Sequence, residues 1–70
     1  MADQLASKIK QARLEAGLSR EQVAAGLGCS LATVVRYETG RTKRISFETL
    51  VAIGRVTGQP LEFFMDGAAA

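Results

Sequence analysis

The side chains best suited to bind a ligand are cations that cluster in the middle of the chain. Residues 17–44 hold five cations against Glu21 and Glu38, a balance of +5 − 2 = +3. Residues 45–70 hold Arg55 against three carboxylates, a balance of +1 − 3 = −2. This separation is typical of a protein that meets a polyanion with one face and keeps its other end mildly acidic. The five cations are Arg20, Arg36, Arg41, Lys43 and Arg44.

Catalytic and metal chemistry find little support in the same sequence. The chain has no histidine, and its single cysteine, Cys29, has no base forced next to it. The carboxylates are scattered, and neither metal-ligand spacing nor a phosphate-cradling glycine loop occurs. We therefore expect no enzyme, no metal, no cofactor and no small-molecule ligand. Cys29 is interpreted as a small residue in a turn, with redox sensing as the alternative.

Length and composition predict one small domain. A chain of 70 residues, 47% of them hydrophobic, can form a core, although it buries only about 60% of its unfolded surface. One cysteine excludes an internal disulfide and suits a reducing compartment. Neither a secretory signal nor an apolar run of membrane-spanning length is present, so we expect a cytoplasmic protein without a membrane contact.

The segment from Ser19 to Glu38 predicts two short helices joined by a tight turn. Ser19 and Gln22 have the spacing of a capping box at the start of the first helix. Gly28 suits the left-handed residue that ends this helix, and Ser30 is a candidate N-cap for the next one. A helix, a glycine turn and a second capped helix within about twenty residues form a helix-turn-helix pattern.

The first helix is expected to precede this pair, from an N-cap at Asp3 to about Ala16. Gly17 suits its C-cap. Arg13 lies among the apolar positions of the helix, either as a solvated side chain over the surface or as one member of an ion pair. The apolar residues of this helix are Leu5, Ile9 and Leu14.

Two more helices are expected after the pair. The fourth begins at an N-cap at Ser46, and Gly54 inside it predicts close helix packing. The fifth runs from Pro60 to about Met65 and ends at Asp66-Gly67. The buried stripe of the fourth helix is expected to contain Phe47, Leu50, Ile53 and Val56. The predicted architecture is all-α, with a five-helix domain over residues 1–67 and residues 68–70 as a tail or the cut edge of a longer chain.

A basic loop connects the third and fourth helices. Thr39-Gly40 predicts the end of the third helix, and the next four residues include Arg41, Lys43 and Arg44. Cations at this place can contact phosphate oxygens without reading a base sequence. The alternative is a solvated basic loop that only keeps the protein soluble.

Taken together, these features resemble the Xre/Cro/C1-type helix-turn-helix family, the small DNA-binding domains of lambdoid-phage repressors and Cro proteins. The resemblance covers roughly Leu5 to Phe64 and implies a compact five-helix, lambda-repressor-like domain. The motifs that carry it are Ile9-x-x-x-Arg13-Leu14-x-x-Gly17-Leu18-Ser19-x-x-Gln22-Val23-Ala24, Gly28-Cys29-Ser30 with Val34 and Tyr37-Glu38, Gly40-Arg41-Thr42-Lys43-Arg44, and Leu50-x-x-Ile53-x-x-Val56-x-Gly58.

The resemblance implies a sequence-specific transcriptional regulator of double-stranded DNA, with repression as the favoured role. Its recognition helix, about residues 30–38, would lie in the major groove. Arg13 and Glu38 match positions that form an ion pair in several family members. The implied base contacts are Leu31, Ala32, Thr33, Val35 and Arg36. The implied phosphate contacts are Arg20, Ser30, Arg41, Lys43 and Arg44.

The outward face of the recognition helix departs from the family, because it is largely apolar where polar residues such as glutamine are common. Arg36 can pair with guanine, worth about 1–3 kcal/mol of discrimination, or instead contact phosphate or solvent. Leu31, Ala32 and Val35 can lie against thymine methyls or form a protein-binding patch. The alternative function is therefore a protein-interaction module, such as an antirepressor or adaptor, on the same fold.

One recognition helix covers only a few base pairs, so useful affinity generally needs two copies on a pseudo-palindromic operator. We expect a weak homodimer formed through the hydrophobic C-terminal helix and the region around Gly58. In the alternative, Phe63 and Phe64 only complete the core, and a missing C-terminal domain dimerises the chain.

Overall fold

The computed structural model describes the backbone of residues 2–42 and 44–69, and the side chains of residues 4–42 and 44–65. In these ranges the chain forms helices and no strands, so the predicted all-α, five-helix architecture is confirmed. Lys43 lies outside the described residues. None of the described helices is long and apolar enough to cross a membrane. The helices are α1 (Ala2–Glu15), α2 (Arg20–Leu27), α3 (Leu31–Thr39), α4 (Phe47–Thr57) and α5 (Leu61–Ala69).

Serine side chains begin three of these helices, as predicted. At α2 the hydroxyl of Ser19 accepts from the amide of Gln22 at 3.0 Å, and the Gln22 side chain accepts from the Ser19 amide at 2.8 Å. The capping box is thus confirmed. Ser30 and Ser46 accept in the same way from the third residue beyond them, at 3.2 and 3.1 Å. These bonds satisfy amides that have no partner inside the helix.

Two predicted helix ends are wrong. The helix α1 begins at Ala2, so Asp3 lies inside it and is not its N-cap. The helix α5 begins at Leu61, just after Pro60, and continues through Asp66-Gly67 to Ala69. A glycine inside a helix costs only about 1 kcal/mol, and the alanines that follow are the strongest helix formers. The division of the domain at residue 67 stays a prediction.

The core has two parts that share Leu27. In one, Phe64 of α5 is fully buried against α1 and α4. In the other, Val23 and Ala24 of α2 pack against Val34 of α3. The buried members of the first part are Ile9, Ala12, Leu50, Ile53 and Phe64. This core holds the helix-turn-helix pair against the other three helices.

Two apolar residues, one of which was expected in the buried stripe of α4, lie outside the core. Leu14 is 57% exposed, because the inner face of α1 is occupied by Ala12 and Arg13 and the next position turns towards solvent. Phe47 is 62% exposed. It is the first residue of α4 and lies beyond the end of the buried stripe, whose members are Leu50, Ile53, Gly54 and Thr57.

Gly54 allows α4 to approach the segment that leads into α5. A Cβ atom at this position would lie 2.8 Å from the carbonyl oxygen of Gln59 and 3.6 Å from the ring of Phe64. The Gln59 amide also donates to the Gly54 carbonyl at 2.9 Å, which holds the two backbones together. The close packing predicted from this glycine is therefore present.

Replacing Gly54 with alanine is expected to destabilise the domain by about 1 kcal/mol, the difference between the middle of the overpacking range and the helix-propensity gain. The overpacking cost of about 1–3 kcal/mol outweighs a helix-propensity gain of at most about 1 kcal/mol. Chemical denaturation followed by circular dichroism measures the difference. Ser7→Ala, at an exposed position of α1, is the control for a propensity gain without overpacking. A Gly54→Ala variant as stable as the parent would contradict the packing described here.

Candidate nucleic-acid interface

The helix α3 has one face in the core and one face outward. Val34 is fully buried and Tyr37 packs against the core, as predicted. On the opposite side Ala32 and Arg36 are exposed and Leu31 is 43% exposed. Thr33 and Val35 are half-buried and border this outward face. The residues expected to contact bases therefore follow one side of a helix of nine residues.

Ser30 lies directly before this helix as its N-cap, and the helix ends at Thr39, close to the expected range of 30–38. The Ser30 hydroxyl lies 2.9 Å from the hydroxyl of Thr33 and accepts from the Thr33 amide. Both side chains are thus held at the first turn of α3. A hydroxyl and the free amides of a helix N-terminus are groups that can meet a phosphate.

A buried ion pair fixes the other end of α3. Arg13 Nε of α1 donates to Glu38 Oε2 at 2.6 Å, and Arg13 Nη2 donates to Glu38 Oε1 at 3.2 Å. A third nitrogen, Nη1, donates to the carbonyl of Leu18 at 3.0 Å. The two side chains are 9% and 1% exposed, respectively. The fork of the guanidinium therefore binds the carboxylate with both arms and also closes the turn after α1.

A second arginine shares the same carboxylate. Arg20, the first residue of α2, donates from Nε to Glu38 Oε1 at 3.1 Å. Its side chain is 42% exposed, so the charge remains accessible from solvent. One carboxylate between two guanidinium groups leaves a net charge of +1 at this junction, because −1 + 2 = +1. The three residues, here called the Glu38 junction, join α1, α2 and α3.

The hydrogen bonds at this junction explain how the domain tolerates a buried charge. A buried charge is costly unless it is paired and hydrogen-bonded. Every buried side-chain nitrogen and oxygen among the described residues has a hydrogen-bond partner. Both oxygens of Glu38 accept from arginine, which is the arrangement that offsets desolvation best.

The basic loop after α3 is attached at both ends. Gly40 has φ of 74°, a left-handed conformation that ends the helix, and the amides of Gly40 and Arg41 donate to the Arg36 carbonyl. Ile45 packs against the core at the far end. Arg41 and Arg44 between these anchors are exposed. The predicted contact of Lys43 falls outside the described residues.

A helix-turn-helix family model matches residues 9–64 of the chain. The chain belongs to this family. The matched segment includes α2, α3, the Glu38 junction and the basic loop. The match therefore confirms the Xre/Cro/C1-type resemblance seen in the sequence. Membership supports a DNA-binding transcription regulator.

A solved structure gives independent support for the fold of this helix-turn-helix domain. The chain is similar to the clp gene regulator ClgR from C. glutamicum, with a TM-score of 0.86 and 20% identity. The similarity covers 97% of this chain and 87% of that chain. No curated protein matches the sequence.

The structure brings some of the expected site residues together and keeps others apart. The base-contact candidates share the outward face of α3, and Ser30 precedes them. Arg20 contacts Glu38, near the opposite end of α3 from Ser30. Arg41 and Arg44 follow α3 in the loop. Within the described part of the chain, no group of acidic, histidine or cysteine side chains could hold a metal ion.

The contact between Arg20 and Glu38 is absent from the sequence-based expectations, which gave Arg20 a phosphate alone. The two residues are 18 positions apart, and no local pattern joins them. The available signal was indirect, since the ion pair implied for Arg13 places Glu38 beside the start of α2. A carboxylate there can still accept further hydrogen bonds after it pairs with Arg13, so it would attract a second cation.

Removing each arginine of the junction is expected to have very different effects on stability. Arg13→Ala should lower the free energy of unfolding by about 3 kcal/mol, because it leaves the buried Glu38 carboxylate without its bidentate partner. Arg20→Ala should cost at most about 1 kcal/mol, because its ion pair is partly solvated. Denaturant unfolding of both variants measures the difference.

Arg36→Ala is the control, since it removes an exposed arginine from α3 and should change stability by about 0.5 kcal/mol or less. Equal losses for Arg13→Ala and Arg20→Ala would show that burial does not determine the strength of these pairs.

Proposed function

We propose that this chain is a sequence-specific regulator of transcription, acting as a repressor, that places α3 in the major groove of double-stranded DNA. The single observation that carries the proposal is the outward face of α3, held in place by the Glu38 junction. Ala32 and Arg36 are exposed on this face and Leu31 is exposed at its edge, while Val34 and Glu38 on the side away from Ala32 and Arg36 are buried. A helix presented in this way fits the major groove.

Arg36 is the proposed centre of base recognition. Its guanidinium can donate to O6 and N7 of guanine, and such a pair is worth about 1–3 kcal/mol against a wrong base. Leu31, Ala32 and Val35 would contact thymine methyl groups, with Thr33 at the side. A face with one cation and several small apolar groups predicts a short half-site with a guanine next to A·T pairs.

Phosphate contacts are proposed at both ends of α3. Ser30 lies at the N-terminal end, and Arg41 and Arg44 follow the C-terminal end, with Lys43 expected between them. Arg20 uses Nε for Glu38, while a guanidinium carries two further nitrogens that can donate to phosphate. Glu38 would therefore orient Arg20 as well as neutralise Arg13. These contacts supply affinity and register rather than sequence preference.

The regulator is proposed to act as a weak homodimer in the cytoplasm on a pseudo-palindromic operator. Two-fold related recognition helices would enter successive major grooves about 34 Å apart. The C-terminal helix was one expected contact surface. Its Phe64 is fully buried and Phe63 packs against the core, so most of its aromatic surface is already used within one copy.

Selection from a pool of randomised duplexes tests the proposal directly. The domain is mixed with the pool at two salt concentrations, and the bound duplexes are sequenced. We expect an enriched half-site with guanine at one position, and an Arg36→Ala variant should lose the preference at that position. Affinity should also fall steeply with salt. In a plot of the logarithm of the binding constant against the logarithm of the salt concentration, the slope should be about −0.9 for each phosphate neutralised.

Arg41→Ala separates phosphate contact from base contact. This variant should bind all sequences more weakly and reduce the salt slope by about 1, with the same enriched sequence. Lys10→Ala removes an exposed cation from α1 and should leave the slope unchanged. Salt-dependent binding without any enriched sequence would show that the chain binds the DNA backbone and does not read a base sequence.

Absence of DNA binding even at low salt would instead favour a protein-interaction module. The exposure of Leu31, at 43%, is the observation that supports this second function. Leu31 and Ala32, with Val35 beside them, would then contact an antirepressor target or another protein. Binding to such a partner would tolerate salt and the loss of Arg41.

A further inference from the structure

The outward side of α3 carries no carboxylate and no side-chain amide. The helix contains neither asparagine nor glutamine, and its one carboxylate, Glu38, is buried with both oxygens bonded to arginine. The Thr33 hydroxyl lies 2.9 Å from that of Ser30, and the Thr39 hydroxyl donates to the Val35 carbonyl at 2.8 Å. Carboxylates and amides are the groups that bind the amino groups of cytosine and adenine in the major groove. The helix therefore lacks the usual means of reading either amino group.

Short apolar groups stand on this side instead, next to one guanidinium. At about 100° per residue, Arg36 lies about 40° to one side of Ala32 around the helix axis and Val35 about 60° to the other. Ala32 and Arg36 are exposed, Val35 is half-buried, and Leu31 at the edge is 43% exposed. The residues Leu31, Val35 and Ala32, here called the α3 apolar face, are contiguous over about 100° of the helix surface.

The feature of a base that such a face can recognise is a methyl group. In the major groove thymine presents a methyl group on C5, and cytosine presents a hydrogen at the same place. 5-Methylcytosine carries the same C5 methyl group as thymine. Because α3 has no carboxylate or amide to test the amino group of cytosine, the methyl group is the difference between pyrimidines that remains to be read.

We propose that the α3 apolar face recognises the C5 methyl group of a pyrimidine, so that DNA methylated at cytosine is a preferred ligand of this chain. The inference deepens the proposed function and rests on it for the placement of α3 in the major groove. Methylation of a cytosine within the operator would then strengthen binding, and the regulator would respond to the methylation state of its own site.

The position of the methyl group relative to the guanine follows from the helix. Ala32 and Arg36 are one turn apart, about 6 Å along the axis. Successive bases of one strand are about 3.4 Å apart. The methyl contact therefore falls within about two base steps of the guanine that Arg36 is proposed to bind. A methylated cytosine beside a guanine satisfies this spacing.

Recognition of a group as small as a methyl requires a contact surface that does not move. Ala32 has no side-chain rotamers, and the branched Val35 is stiff at χ1, so the contact orders no flexible side chain. The rotation of α3 about its own axis is fixed from behind by the fully buried Val34 and by the bonds to Glu38. The α3 apolar face is thus presented at one height and one angle.

Two base substitutions that change only this methyl group test the proposal. In the enriched half-site each thymine is replaced in turn by uracil, and fluorescence anisotropy at fixed salt measures Kd. We expect at least one position at which affinity falls about fourfold, the effect of burying one methyl-sized group. At that position cytosine and 5-methylcytosine are then compared, each paired with guanine. The methylated duplex should bind about fourfold more tightly.

The variant Val35→Thr separates contact with the methyl group from an effect of methylation on duplex shape. It keeps the branched side chain but replaces one methyl group with a hydroxyl, so both fourfold preferences should fall below about twofold. A preference caused by duplex shape alone would persist. Val51→Thr is the matched control, since it makes the same change at another half-buried valine, on α4, and should keep the full preference.

A second variant removes apolar surface at an exposed position, where folding is not at risk. Leu31→Ala should also reduce the preference for the methylated duplex. Leu14→Ala deletes the same side chain from the exposed surface of α1 and should leave the preference unchanged. Circular dichroism identifies the temperature range in which all variants are folded.

Randomised pools make the test independent of an enriched half-site. The parent is mixed with equal amounts of two pools, one synthesised with cytosine and one with 5-methylcytosine, and the bound duplexes of each pool are counted. We expect the methylated pool to be enriched among the bound duplexes. Val35→Thr should reduce this enrichment, and Val51→Thr should not.

The outcomes separate this inference from the proposed function. An enriched half-site that tolerates uracil at every thymine and gains nothing from 5-methylcytosine would overturn the inference alone. Preferences that persist in full in both Val35→Thr and Leu31→Ala would also overturn it. Enrichment of the methylated pool without an enriched half-site would support the inference and contradict the sequence-specific function. Equal recovery of the two pools without an enriched half-site, or no binding at all, would overturn both.

Discussion

The Glu38 carboxylate is the point at which three helices of this domain meet. It accepts from Arg13 of α1 and Arg20 of α2, and it belongs to α3. An almost fully buried carboxylate requires these partners, because an unpaired charge in this position would be costly. The requirement fixes how α3 sits relative to α1 and α2. In a domain with no disulfide and a small core, such a directional constraint adds to nonspecific hydrophobic packing.

The same junction combines a buried pair of charges with a partly exposed one. Arg13 and Glu38 are withdrawn from solvent, whereas Arg20 remains partly exposed and carries the surplus positive charge. The outward face of α3 then needs few charges of its own, and Arg36 supplies one. Apolar residues on this face are compatible with a DNA-binding role because the affinity can come from the surrounding cations and the readout from a small number of groups.

The helix α4 has one side in the core and another side along an open groove. Leu50 and Ile53 face the core, and Gly54 permits the close approach of the segment that leads into Phe64. The other side lines the groove with α2.

Local sequence by itself determined the helix ends that depend on short-range bonds, including the Ser19 capping box and the left-handed Gly28. The fold class followed from these signals together with the family resemblance, which also implied the pairing of Arg13 with Glu38. Only the tertiary structure decided the contact of Arg20 with Glu38, the exposure of Leu14 and Phe47, and the extension of α5 through Asp66-Gly67. Capping acts over three or four residues, so its partners can be identified in the sequence. Burial and shared ion pairs depend on which helices meet. Helical periodicity alone cannot specify which positions of a helix another helix buries.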